Sequence, residues 1–114
     1  MPSRVGAWVT ESFARSHHEE TERLLGMLRR TPPEGYAACC ETLEAFDVRD
    51  RLPRVRVPTL VIAGADDPAT PVDTVREIAD AIPGARFVVV PRASHLVSVE
   101  QPDVVDAEIR RFLS

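Results

Sequence analysis

The sequence contains no lysine. All 14 of its basic side chains are arginines, and 18 acidic residues leave a formal charge of −4. A chain of that sign gains little from the phosphate backbone, which demotes a nucleic-acid role. Cysteine is almost as scarce, with two residues that are neighbours, Cys39 and Cys40. Adjacent residues rarely reach disulfide geometry without strain, so two thiols packed on a helix are expected. A redox switch or soft-metal site would need more, and no third cysteine exists. Long apolar runs are missing too. Residues 59–63 and 87–90 are far too short to span a bilayer, and the N-terminus lacks the charged-then-apolar layout of a signal peptide. A reducing, cytoplasmic setting is the expectation. The 44% hydrophobic and 28% charged content excludes disorder and low complexity, and 114 residues suffice for one domain.

What is present changes character near residues 47–58. Before them, Trp8, Val9, Phe13, Leu24, Leu25, Met27 and Leu28 recur at spacings of three and four among charged residues, which predicts helix. Thr31, Pro32 and Glu34 read as the start of a second helix: a capping hydroxyl, a proline at the first helical position and the acid of a capping box. That helix should carry Tyr36 to about Phe46. After the break, residues 58–63 form a continuous apolar run ended by Gly64. A helical stretch over 72–82 closes at Pro83 and Gly84, and a second apolar run covers residues 86–90. A final helix spans residues 102–113, with Val104, Val105, Ile109, Phe112 and Leu113 as its apolar face.

Strand, helix, strand, helix with unalternating apolar runs predicts an α/β arrangement. Its two strands should be parallel, covered on both faces and joined by a right-handed crossover. Two parallel strands alone leave unpaired backbone edges. The chain is therefore expected to supply one margin of a larger sheet, completed by another polypeptide or by a portion absent from this sequence.

Chemistry concentrates in the loops that leave the strands. In open parallel sheets, loops beyond the C-terminal ends of the strands converge on one crevice. Gly64, Asp66, Asp67 and Pro71 follow the first run, whereas Arg92, Ser94 and His95 follow the second. An acid and a histidine thus emerge side by side. Taken alone, Asp67 could instead cap the following helix or close an Asx-turn, and Asp66 is the better candidate for that structural work. His95 alone would be a solvent-facing loop residue. His17 and His18, among acidic neighbours, read as a surface face and not a metal site. Trp8 and Tyr36 read as packing residues.

The stretch from Leu60 to Pro71, with its G-x-x-D-x-x-x-P pattern, resembles the triad-acid loop of α/β-hydrolases. The stretch from Ala93 to Pro102, with H-x-x-x-x-E-x-P, resembles their triad-histidine segment. The resemblance implies the C-terminal part of an α/β-hydrolase fold, with Asp67 as triad acid and His95 as triad base. Residues 31–40, Asp47, Pro58 and the 65–71 loop are further similar to 3-oxoadipate enol-lactonases of aromatic-compound catabolism through the β-ketoadipate pathway. That likeness makes residues 1–47 a helical, cap-like segment and 48–114 the C-terminal βαβα portion of the core. It implies hydrolysis of an enol-lactone or carboxylic ester with no metal or organic cofactor. The family substrate carries carboxylates, which Arg15, Arg49, Arg92 or a helix N-terminus could orient.

No G-x-S-x-G occurs in the chain, so the strained turn that exposes a nucleophilic serine is absent. Ser94 and Ser98 lie near His95, but neither is flanked by glycines. Stand-alone catalysis is therefore not expected. The alternative is a non-catalytic remnant of a hydrolase that oligomerises or binds a partner. The expected partners are a small ester or lactone, together with a second copy of the chain or an N-terminal hydrolase portion that completes the sheet; neither nucleic acid nor membrane is expected.

Overall fold

A computed structural model of the chain describes residues 5–114; the first four residues of the 1–47 segment, with the question of whether Met1 is a genuine start, lie outside the described residues. Three helices come first: α1 (Glu11–Ser16), α2 (His18–Arg30) and α3 (Pro33–Ala45). Trp8 and Val9 are not helical, contrary to their spacing. They lie in a turn segment whose backbone bonds to a distant loop, a constraint that local periodicity does not encode. Thr10 caps α1, its hydroxyl accepting from the Phe13 N–H at 3.1 Å.

The Thr31 capping box does not form. Its hydroxyl donates back to the Met27 carbonyl at 2.9 Å, and its N–H bonds to the Leu28 carbonyl, so Thr31 closes α2 instead of opening α3. The N-cap of α3 is Pro32, which makes no side-chain cap bond, and Pro33 takes the first helical position. None of the residues of α3 is buried, and Cys39 and Cys40 are exposed free thiols rather than packed ones.

A 3₁₀ helix (Arg49–Arg54) leads into β1 (Leu60–Gly64), followed by α4 (Val72–Ala81) and β2 (Arg86–Val90). The strands pair in parallel, with Leu60 opposite Arg86 and Gly64 opposite Val90. A crossover therefore joins the two strands, with α4 as its helix. Among the described residues the sheet has these two strands. Full cover on both faces is not found. Leu60, Val61, Ile62, Phe87 and Val88 are half-buried and Val89 is exposed, because a two-stranded sheet has too few neighbours to enclose its faces.

Burial concentrates where the strands end, at Ala63, Gly64, Val90, Ala93 and Ser94. A four-residue helix, α5 (Val97–Glu100), precedes α6 (Pro102–Leu113). Of the expected apolar face of α6, Val105 is buried and Phe112 half-buried, while Val104, Ile109 and Leu113 are exposed. No helix among the described residues is long and apolar enough to cross a membrane.

Candidate active site

The parallel pairing puts the exits of β1 and β2 side by side. The Ala65 N–H bonds to the Val90 carbonyl and the Asp66 N–H to the Ala93 carbonyl, both at 2.9 Å. These bonds carry the β1 loop across the β2 loop and bring Asp67 to His95. His95 Nδ1 lies 2.9 Å from Asp67 Oδ2. The Asp67 side chain is only 4% exposed, whereas that of His95 is 42% exposed, so the acid sits behind the ring and the ring faces solvent.

Asp67 closes its own turn and also faces the histidine. Its Oδ1 accepts from the N–H groups of Ala69 (2.8 Å) and Thr70 (3.1 Å), closing the turn. Its Oδ2 accepts from the Thr70 hydroxyl at 2.8 Å and faces His95. Asp66, the expected turn former, has an exposed side chain, and Asp67 itself closes the loop. Burial is the largest influence on the Asp67 carboxyl and pushes its pKa up. Hydrogen bonds from His95, from the Thr70 hydroxyl and from the Thr70 and Ala69 amides together outweigh it, and they hold the group below its ordinary value. Asp67 is therefore ionised at neutral pH and can only accept. The proton between the pair then belongs to His95 Nδ1, and Nε2 is the nitrogen that a neutral ring offers as an acceptor.

Two contributors were not singled out by sequence reasoning. Thr70 donates to the same oxygen that faces the histidine; its signal is the Asp-x-x-Thr spacing, which suits a side chain reaching back over one turn. Glu100 was visible only as a letter of a motif, yet its carboxylate is buried and bonds to the N–H of Ser94 at 2.6 Å.

Ser94 is not placed as a nucleophile. It is fully buried, and its hydroxyl donates to the carbonyls of Gly6 (2.8 Å) and Ala7 (2.6 Å). Ser98 is exposed on α5. Arg15 pairs loosely with Glu11 on α1, and Arg49 forks onto Asp47 and reaches Glu77. Arg92 borders a cleft of about 310 Å³ beside the histidine loop, with His17, Asp66 and Gln101 among the other lining residues. His17 stacks on Phe13 with ring centroids 4.3 Å apart. Among the described residues no group of three or more His, Cys, Asp or Glu side chains could hold a metal ion. A second cavity, about 370 Å³, is walled by Trp8, Leu24, Met27, Leu28, Tyr36 and Leu96, placing an apolar surface next to the residue that follows His95.

A family model described as TAP-like protein, of the α/β-hydrolase type, matches residues 31–114. The chain is 40% identical over 109 residues to 3-oxoadipate enol-lactonase 2 of Acinetobacter baylyi, covering 92% of this chain and 40% of that protein. Among solved structures, an enol-lactonase from Burkholderia xenovorans superposes with a TM-score of 0.83 at 35% identity, covering 98% of this chain and 43% of the other. A thermophilic esterase from Thermogutta terrifontis gives 0.82 at 40% identity, covering 91% and 39%. The chain thus spans about two-fifths of the length of these relatives, and its strands and helices match the C-terminal part of their fold.

Proposed function

The chain belongs to the α/β-hydrolase family, and from that premise we propose that it supplies the acid and the base of a carboxylic-ester or lactone hydrolase. The observation that carries this reading is the 2.9 Å contact between the exposed ring of His95 and the buried carboxylate of Asp67. In the proposed reaction a serine hydroxyl attacks the ester carbonyl while His95 Nε2 takes its proton. The Asp67 carboxylate stabilises the imidazolium that results. His95 then returns the proton to the departing oxygen, and water, deprotonated in the same way, releases the acyl group. The serine comes from an N-terminal hydrolase portion, because this sequence contains no G-x-S-x-G. Similarity to enol-lactonases favours an enol-lactone substrate and a place in aromatic-compound catabolism.

The test is hydrolysis of an enol-lactone and of an activated aryl ester by the full chain, alone and mixed with a serine-bearing N-terminal hydrolase portion. Turnover is expected in the mixture and should disappear with His95→Ala. A rate that survives this substitution, or no rate in the mixture, sinks the reading.

A second reading has its own observation. Helix α3 buries none of its residues, and Leu43 and Phe46 are 68% and 62% exposed. Such a face suits self-association of a non-catalytic module, or the docking of an N-terminal hydrolase portion.

A further inference from the structure

Glu100 holds a buried carboxylate that the proposed proton transfers do not use. Its Oε1 accepts from the backbone N–H of Thr10 at 2.9 Å and from the Thr10 hydroxyl at 2.7 Å. Its Oε2 accepts from the Ser94 N–H at 2.6 Å. Thr10 caps α1 and Ser94 immediately precedes His95, so one side chain, 90 residues along the chain from Thr10, holds the start of a helix and the histidine loop together. Further bonds follow the same seam. The His95 N–H donates to the Ala7 carbonyl at 3.2 Å, and the Leu96 N–H to the Trp8 carbonyl at 2.8 Å.

A carboxylate removed from water is costly unless its oxygens are satisfied, and here both are, by donors alone. An amide of the same shape cannot replace it: whichever way it turns, an NH₂ group meets either the Ser94 N–H or the Thr10 N–H. An apolar side chain would leave both backbone donors unpaired. The site therefore selects an acceptor at both ends.

We infer that Glu100 is a positioning residue: by tying the Ser94 backbone to Thr10 it fixes the place of His95, so that Nδ1 meets Asp67. The same tie fixes that histidine relative to Trp8 and the apolar wall beside it. The functional meaning rests on the proposed role of His95, but the positional claim is testable without turnover.

The full chain, uniformly labelled with ¹⁵N, is compared with Glu100→Gln by proton NMR of the His95 Nδ1–H and by hydrogen exchange of the His95 and Leu96 amides. The parent should show a far-downfield Nδ1 proton. In folded Glu100→Gln that signal should be lost or move upfield, with both amides exchanging on the order of tenfold faster. The same chemical change at the exposed Glu34, Glu34→Gln, should alter neither. If Glu100→Gln does not fold, Thr10→Val removes one donor to Oε1 and should move both readouts in the same direction, with Thr10→Ser restoring them. Unchanged readouts in folded Glu100→Gln, or failing that in folded Thr10→Val, overturn the role of Glu100. A parent chain without the downfield proton overturns the Asp67–His95 pairing itself, a separate failure.

Discussion

Gly64 lies directly against the Ser94 carbonyl: a Cβ added to Gly64 would overlap that oxygen and stand 2.7 Å from the Ala93 oxygen. Both obstacles are backbone, the Ala93 carbonyl being held by the Asp66 N–H, and neither can swing away as a side-chain tip could. The close approach is what lets the loop after β1 deliver Asp67 to His95. Gly64→Ala is therefore expected to destabilise the chain by about 1–3 kcal/mol, the usual range for overpacking. It should also separate the acid from the histidine. Urea unfolding checks the first effect and the Nδ1 proton of His95 the second; a midpoint equal to that of the parent would mean that the histidine loop gives way freely.

The parts of this arrangement that sequence reasoning reached are those written in local signals. Pro83 and Gly84 punctuate the crossover, two unbroken apolar runs mark the strands, and strand exits are where an acid and a base converge. What it missed depends on distant partners. Thr31 has a hydroxyl that either neighbouring helix could use, and only the folded chain shows it bonded to Met27. Trp8 and Val9 have helical spacing, but the backbone of Ala7 and Trp8 is committed to His95 and Leu96, nearly 90 residues away. Helix α5 is four residues long, too short for any periodicity to register, although it carries Glu100.

Thr70 sets the character of Asp67. Its hydroxyl donates to Oδ2 at 2.8 Å, and that oxygen also faces the imidazole. Thr70→Val keeps the branched shape and removes the donor, so the Asp67 carboxyl should titrate at higher pH than in the parent. Loss of the bond should cost about 0.5–1.5 kcal/mol of stability. Thr70→Ser should recover both. The carboxyl carbon shift of Asp67, followed against pH, reads the change, and an unaltered titration in Thr70→Val would remove Thr70 from the control of the acid.

Acid sensitivity follows from the same carboxyl. The pKa of Asp67 is lower in the folded chain than its ordinary value of 3.8, so between those two values the unfolded chain binds more protons. Its contribution is complete above the unfolded value and disappears as pH falls through the folded one. Asp47, whose carboxyl the Arg49 hydrogen bonds draw down to about 2, titrates in an overlapping range. The share of Asp67 is therefore the difference between the parent and Asp67→Asn. Urea midpoints of the two should run parallel above about pH 5 and converge below about pH 4. Parallel curves throughout that range would contradict the lowered pKa.

Tyr36, Cys40 and Leu43 are spaced by four and three residues on α3, so they share one stripe that Phe46 extends at the helix end. A 13-residue helix with no buried residue is marginal in water, because helices of that length draw most of their stability from a covered apolar face. The proposed cover is a second copy of the chain or an N-terminal hydrolase portion, and either would bury Leu43 and Phe46. Burying one such side chain is worth about 1.5–3 kcal/mol. Leu43→Glu combined with Phe46→Glu should therefore weaken self-association at least on the order of a hundredfold, since about 1.4 kcal/mol corresponds to a factor of ten. Sedimentation equilibrium of the parent and double variant measures this directly. Association of equal strength in both would take α3 out of the interface. A parent that is monomeric at every concentration would leave the hydrolase portion as the proposed occupant, and binding of that portion should then show the same loss in the double variant.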